Sequence, residues 1–250
     1  MAEWYKEAFD EFYPDVYSHR DEREAGEFAV FLGKVVPLRG LLMLDVCCGE
    51  GRHMRAFQNA GATCFGLDLS EALLCKLRVT GSCQSPRVAR GDMRALPFKS
   101  ESFDVCINMF TSLGYFEERQ EELEVLREIC RVLTPGGFFV LDHVNSNWVK
   151  SSFEPHTVRR SGELLIEETR KILSDGRLVE KHTVIRSARA SSAVLRDYTE
   201  RLALFAKTEL EGMLGKIGYE ILDFYGSYDG APYAEESSPR LVILSRKGTG

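Results

Sequence analysis

Apolar positions along this chain change their spacing in a way that sketches a fold. Residues 4–17 are rich in aromatic side chains, and Tyr5, Phe9, Phe12 and Tyr13 recur at helical spacing until Pro14 interrupts. A helix follows over 21–36, with Ala25, Phe28, Leu32 and Val35 directed inward. Residues 41–46 form a short apolar run of the kind buried on both faces of a parallel sheet. A helix over 52–60, stopped by Gly61, a strand over 62–67 and a helix over 70–79 opened by Ser70 come next. Strands at 87–93 and 103–108 precede an amphipathic helix at 118–133, in which Leu123, Leu126, Cys130 and Leu133 are in register. A turn at 134–137 leads into a fifth strand at 138–144. Strands alternating with helices in this way predict an α/β fold with a doubly wound, mostly parallel sheet.

The period shifts after residue 150. LLIEETRKIL, SDGR and LVEKHTVIR read as a hairpin around an Asp-Gly turn, and a further strand is expected over 195–205. Thr208 and Glu211 have the spacing of a capping box for a helix ending at Gly218, and two strands, EILDFYG and RLVILSRK, close the chain. The expected organisation is one domain: a helical cap at 1–36, a ligand-binding half at 37–145, an antiparallel β insertion at 146–205 lying over one edge of the sheet, and a C-terminal helix with two strands at 206–250.

The remaining totals narrow the classes. With 250 residues, 44% hydrophobic and 28% charged, the chain can bury a full core. Its formal charge of -6 and the absence of any basic run argue against nucleic acid as the partner. The first residues are charged and do not read as a secretory signal, and no apolar run approaches the ~20 residues that span a bilayer. The expected compartment is the cytoplasm. Seven cysteines, at 47, 48, 64, 75, 83, 106 and 130, include no CxxC pair, so no metal or disulfide framework is readable and each is expected to pack as a small apolar residue.

Chemistry concentrates at the ends of the strands, where doubly wound sheets bind ligands. The first strand runs into Cys47-Cys48-Gly49-Glu50-Gly51, and glycines there let the backbone turn tightly and approach a ligand. A phosphate loop would need Gly-x-x-x-x-Gly-Lys-Ser/Thr, which is absent, and the third glycine of a dinucleotide fingerprint is replaced by Met54. The second strand ends in Asp68, seventeen residues beyond Gly51, where a carboxylate can accept from the two hydroxyls of a ribose. The third ends in Gly91-Asp92-Met93, suited to an adenine amine, with Met93 or Leu69 as an apolar wall. The fourth ends in Asn108-Met109-Phe110, beside the first strand.

In combination these stretches resemble the class I S-adenosylmethionine-dependent methyltransferases. LDVCCGEGRH looks like their first motif, GLDLS their second, GDMRALPF with SFDVCINMFTSLGYF their third and fourth, and RVLTPGGFFVLD the approach to their fifth strand. The likeness covers about 17–145, and the tail resembles a bacterial-type subgroup acting on small molecules. It implies a seven-stranded Rossmann-like sheet and S-adenosylmethionine as cofactor. It further implies that Asp45 orients the first loop and senses the cofactor amine, that Cys47, Gly49 and Gly51 line the methionine end, and that Asp68 holds the ribose. Asp92, Met93 and Leu69 would hold adenine, Met109 and Phe110 would line the sulfonium path, and Tyr17 and Arg20 would cover the site from the N-terminal segment. Cys47 departs from the usual glycine, and it is compatible with the motif if its φ is negative.

Methyl transfer from a sulfonium needs positioning and exclusion of water more than a base. If the acceptor must lose a proton, His143 and then Tyr115 are the candidate bases. Asn-Met-Phe-Thr after the fourth strand differs from the Asn/Asp-Pro-Pro-Tyr/Phe signature of adenine and glutamine methylases, and no Pro-Cys or Thr-Cys stands at the position that a pyrimidine C5 enzyme would use. The expected acceptor is therefore a small molecule, methylated at N or O, in a pocket formed by the insertion and the loop carrying Tyr225, Tyr228 and Tyr233. The alternatives are a protein or tRNA methyltransferase, a noncatalytic S-adenosylmethionine-binding module and, more distantly, a nicotinamide oxidoreductase.

Overall fold

The structure is a computed structural model that describes residues 4–17, 21–80, 87–189 and 193–249. Two short helices, α1 (Tyr5–Ala8) and α2 (Tyr13–Val16), precede α3 (Glu22–Val35). Then come β1 (Leu42–Val46), α4 (Arg52–Asn59), β2 (Thr63–Asp68), α5 (Glu71–Thr80), β3 (Val88–Arg90), β4 (Phe103–Asn108), α6 (Arg119–Val132) and β5 (Leu133–Val144). The main sheet is completed after the insertion by α8 (Lys207–Ile217), β10 (Tyr219–Tyr225) and β11 (Arg240–Lys247). Its seven strands run in the order β10-β11-β5-β4-β1-β2-β3. The strands β1 to β5 are parallel, and β11 is antiparallel to both β5 and β10. The chain winds outward from β1 to β3 and then returns to β4 on the other side of β1. This leaves a crevice at the carboxyl ends of β1 and β4, the switch point at which such sheets bind ligands.

Alternation of side chains along the strands feeds two cores, one on each face. Leu44 and Val46 of β1 pack with Val125, Leu126 and Ile129 of α6 and with Leu210 and Leu214 of α8. Met43 and Ile107 face the other way, onto Phe28 and Leu32 of α3, Phe57 of α4 and Leu74 of α5. Each such side chain, fully buried, is worth roughly 1.5–3 kcal/mol relative to exposure. The amphipathic helices thus follow the apolar spacing, and α3 starts where the Asp21 carboxylate accepts from the Glu24 amide at 2.9 Å.

The insertion begins with α7 (Ser146–Ser151) and continues as a separate antiparallel sheet of β6 (His156–Ser161), β7 (Leu164–Leu173), β8 (Leu178–Ser187) and β9 (Val194–Ala203), paired in that order. Val16 of α2 packs on Ile166 and Ile185 of this sheet. Beside them Lys181 lies buried between Glu168 (3.4 Å) and Glu200 (3.1 Å) and donates to the Tyr17 hydroxyl. The insertion joins the main body where the Ala203 amide donates to the Gly114 carbonyl at 2.8 Å.

Several details differ from expectation for identifiable reasons. Val35 is 41% exposed because α3 turns its last apolar position past the edge of the core. Residues 134–137 are not a free turn but part of β5, which tolerates a left-handed Gly136 through a register shift against β4 between Phe103 and Val105. The helix α8 is capped two residues earlier than Thr208 and Glu211 suggest: the Glu209 carboxylate accepts from the Ala206 amide at 3.0 Å, while Glu211 pairs with Lys207. The strand β6 has no apolar signature, alternating exposed His156, Val158 and Arg160 with half-buried Thr157, Arg159 and Ser161. Cys75 is exposed rather than packed, and Cys83 lies outside the described residues.

Phe28, with no exposed surface, meets Phe31, His53, Phe57 and Tyr228. Its replacement by alanine is expected to cost about 3–5 kcal/mol, read as a lowered urea midpoint at unchanged slope.

Candidate active site

A cleft opens where β1, β2, β3 and β4 end. Cys47 and Gly49 supply one wall, Asp68, Leu69 and Leu73 a second, and Gly91, Asp92 and Met93 a third. Ser112, Tyr115 and Phe116 close it from the segment after β4, and Tyr5, Phe9 and Tyr13 cover it from the N-terminal segment. With these rings seated the remaining cavity measures about 80 Å³. Tyr5, Tyr115 and Phe116 also border a second and larger cavity of about 1100 Å³, whose far wall is the insertion sheet at Leu178, Glu180, Thr199 and Arg201.

Cys47, Gly49, Asp68, Leu69, Asp92 and Met93, all anticipated from the sequence, meet in this cleft. Asp68 stands at its floor, 8% exposed, accepting from the Gly49 amide at Oδ2 (2.7 Å) and the Ser70 amide at Oδ1 (2.8 Å). Burial raises its pKa above the usual carboxylate value, against the pull of these amides. One bond on each oxygen leaves further lone pairs for ligand hydroxyls. Asp92 is held by Arg94, which bonds both carboxylate oxygens (Nη2 to Oδ2, 2.6 Å) and also reaches Glu121.

Cys47 does not have the negative φ that its place in the motif allows; its φ is +67°. This left-handed value is what makes glycine the ordinary residue there, and a side chain in that region costs about 1–3 kcal/mol. The thiol contacts the Met93 sulfur at 3.5 Å. Burial, then the Asp68 and Asp45 carboxylates, push its pKa well above the usual thiol range, so it remains a protonated wall and not a nucleophile.

Other anticipated residues sit behind the cleft. Gly51, also left-handed at φ +76°, begins α4, and a Cβ there would come within 2.6 Å of Leu77 Cδ1, so its role is close packing of α4 on α5. Met54, the residue in place of a third glycine, packs its sulfur against Gly66, where a Cβ would come within 2.6 Å of it. Met109 is buried in the core, and Phe110 turns toward α4, stacked on His53 (5.4 Å) beneath the Arg52 guanidinium (4.6 Å). Tyr17 lies on the insertion sheet, donating to Glu200 at 2.9 Å, and the covering role passes to Tyr5, Phe9 and Tyr13. Arg20 lies outside the described residues. His143 has no exposed surface and borders neither cavity; burial lowers its pKa to about 4. It is neutral and lies behind Gly114, which lines the larger cavity: its Nε2 is 3.4 Å from where a Cβ on Gly114 would be, and its ring packs on Phe205. Tyr115 borders both cavities.

Sequence reasoning misses the residues that hold the segment after β4. Phe110 and Thr111 are both left-handed, at φ +57° and +62°. The buried Asp142 accepts from the Phe110 amide at 2.8 Å and the Tyr228 hydroxyl at 2.6 Å, and pairs with Arg240 through two bonds of 2.8 and 2.6 Å. Arg240 also bonds the Thr111 hydroxyl at 3.0 Å. The motif ending at Asp142 is visible in the sequence; its partner Arg240, 98 residues away, is not.

The cleft fits S-adenosylmethionine chemically. Asp68 suits a diol, Met93 and Leu69 suit a flat apolar ring, and the backbone at Gly49 has no Cβ to bar approach. Behind the cleft, on the adjacent strands β1 and β4, Asp45 Oδ2 and Asn108 Oδ1 are buried acceptors without a donor. Such atoms suit a donor-rich cationic group, as the methionine amine is. Burial, and next the Asp68 carboxylate, raise Asp45 to about 7, with Arg52 opposing.

The parallel sheet and its switch-point cleft form a Rossmann-like ligand site whose acceptors suit an adenosine. Residues 44–141 match the family described as a methyltransferase domain. The chain is 28% identical to the cypemycin N-terminal methyltransferase of a Streptomyces species, covering 84% of this chain and 85% of that one. It is 27% identical to the dTDP-4-amino-2,3,4,6-tetradeoxy-D-glucose N,N-dimethyltransferase of Saccharopolyspora spinosa, covering 82% and 84%. In architecture it resembles a solved S-adenosylmethionine-dependent methyltransferase from Clostridium acetobutylicum, with a TM-score of 0.80 at 17% identity over 95% of this chain and 96% of that one. The domain match over 44–141 and these two relatives support an S-adenosylmethionine-dependent methyltransferase enzyme. No helix among the described residues is long and apolar enough to cross a membrane.

A raised carboxyl pKa in the folded state means stability that is present below the unfolded pKa and is lost as pH rises through the folded one. With Asp45 at about 7, the ligand-free protein is expected to lose several degrees of Tm between pH 6 and pH 8, and Asp45→Asn to flatten that decline in a calorimetric scan.

Proposed function

We propose that the enzyme methylates an amine nitrogen of a small-molecule acceptor seated in the large cavity between the insertion and the segment after β4. The observation that carries this reading is the shared neck: Tyr5, Tyr115 and Phe116 border both cavities, so an acceptor on one side meets the cofactor cleft on the other. Glu117 and Glu118 line the acceptor side and favour a cationic group such as an ammonium, Arg177 suits a polar or anionic part of the same molecule, and Glu121 and Glu180 there are paired with Arg94 and Arg201. The amine chemistry accords with both full-length relatives, one acting at an N terminus and one on an amino sugar. The insertion at 146–205 serves as the acceptor-binding part of the chain.

In the cofactor cleft Asp68 holds the ribose, Leu69 and Met93 enclose the adenine with Asp92 at its edge, and Cys47 and Gly49 lie along the methionine, with Asp45 behind them. S-adenosylmethionine held there would supply an electrophilic methyl group: the N–C bond to an uncharged amine would form as the S–C bond breaks, with S-adenosylhomocysteine as the leaving group. The protein aligns the two and excludes water through Trp4, Tyr5 and Phe116. An ammonium must lose a proton before it can attack. The Tyr115 hydroxyl, on a residue that borders both cavities, relays that proton: it accepts from the ammonium as it hands its own proton to solvent beside the glutamates, while His143 stays in the core.

The test is a panel of amino sugars, short peptides with free N termini and simple amines, with phenols and carboxylic acids as oxygen acceptors, followed by mass spectrometry. Methyl transfer to nitrogen is expected, with a rate that rises with pH as the acceptor amine loses its proton. The peptide and amino-sugar arms separate the two kinds of amine. Tyr115→Phe is expected to lower kcat by about 100-fold while S-adenosylhomocysteine still binds. Methylation confined to oxygen acceptors would overturn the proposal.

A further inference from the structure

The segment after β4 is gripped at each end by a buried carboxylate. Asp142 holds its start, and Glu122, from the first turns of α6, holds its end. Glu122 is 1% exposed; its Oε2 accepts from the Gly114 amide at 3.0 Å and its Oε1 from the Phe116 amide at 2.9 Å. Asp142 has Arg240 as a counter-ion, but no salt bridge reaches Glu122 among the described residues. Its neighbours along α6, Val125, Leu126 and Ile129, have no exposed surface. A carboxylate in such a place is expensive, and an apolar side chain would suit the helix better. Its pKa shows the strain: burial raises it to about 7, against the two amide bonds.

The two amides belong to the residues on either side of Tyr115. A single carboxylate that binds both leaves the Tyr115 backbone little freedom and directs its ring into the neck. There the ring meets Trp4 edge-on at 4.9 Å and Phe9 at 5.7 Å. Gly114 is also the point at which the insertion attaches, through the Ala203 amide. Its φ of +110° and the 3.1 Å approach of a Cβ to the Ala203 carbonyl oxygen leave room only for glycine. The helix α6, the last residue of β9 and the neck therefore converge on one short stretch of backbone.

We infer that Glu122 is a positioning residue for methyl transfer: by binding the amides of Gly114 and Phe116 it fixes Tyr115 at the junction of the cofactor cleft and the acceptor cavity. The inference rests on the reading that the methyl group passes through that neck, and it assigns a role to a helix residue that touches neither ligand.

Two substitutions test it. Glu122→Gln keeps the size and one acceptor oxygen, and Glu122→Leu removes both acceptors. Trp148→Phe in the background leaves Trp4 as the only tryptophan of the original two, so its emission reports on the ring against Tyr115. In folded variants, amide exchange over 113–117 is expected to accelerate at least ~10-fold in Glu122→Gln and further in Glu122→Leu, while protection within β4 and α6 is kept. The Trp4 emission shifts to the red. S-adenosylhomocysteine affinity changes less than ~5-fold, and kcat for an amine acceptor falls at least ~10-fold with little change in the cofactor KM. Exchange and emission identical to the parent would overturn the inference, as would a uniform rise in exchange through β4 and α6, which marks a residue that only stabilises the fold. Failure of the parent itself to bind S-adenosylhomocysteine would overturn the cofactor assignment, and the exchange data would still decide the role of Glu122.

Discussion

The site depends on a tight reversal of the chain just past β4. Two successive residues with side chains, Phe110 and Thr111, adopt left-handed backbone there, at about 1–3 kcal/mol each. What holds them is the ion pair of Asp142 with Arg240, buried at the carboxyl end of β5 and joined by the Phe110 amide, the Thr111 hydroxyl and Tyr228. The pair links β5 to β11, the strand that runs against all its neighbours. An antiparallel final strand therefore does more than complete the sheet: it delivers the cation that lets the segment after β4 bend into the crevice. Released from that bend, Ser112, Tyr115 and Phe116 would no longer face Cys47 and Met93.

Much of the site lies in strand ends, which are readable because apolar runs locate the strands and each run stops at a polar residue. Cys47, Asp68 and Asp92 come directly from that rule. The cleft-facing part of the N-terminal segment is less readable. Its aromatic spacing predicts a covering helix, but Tyr17 and Tyr13 look alike in sequence, and only the packing of Val16 on the insertion decides that Tyr17 leaves the cleft. The anchoring roles of Asp142, Arg240 and Glu122 are not readable, although the motif that ends at Asp142 is, because their partners are backbone amides or lie far along the chain. The same holds for β6, whose polar alternation resembles a loop. Cys47 is an instructive case: the sequence shows that glycine is missing, but only the backbone angle shows what the missing glycine was for.

Three acids, Asp45, Asp68 and Glu122, are kept buried near the cavities with pKa values raised chiefly by that burial. Functional sites commonly retain such groups at a cost in stability. Here each has a distinct consequence. Asp68 ties the first loop to the second strand and keeps lone pairs for a ligand. Asp45 and its neighbour Asn108 leave acceptors open for a cation. Glu122 spends its bonds on backbone and shapes the neck. The larger cavity, by contrast, is lined by both glutamates and arginines, and of these Glu180 and Arg201 stand on the insertion sheet.

The claim beneath all of this is that the cleft at the ends of β1 to β4 binds S-adenosylmethionine through Asp68. Calorimetric titration of the intact protein with S-adenosylhomocysteine, with Asp68→Ala alongside, tests it most directly. Losing hydrogen bonds to a charged group worth about 1.5–3 kcal/mol each should weaken binding by at least ~10-fold in a variant that retains its thermal unfolding transition. Equal affinity in the two proteins, or no binding by the folded parent at millimolar ligand, would contradict the account.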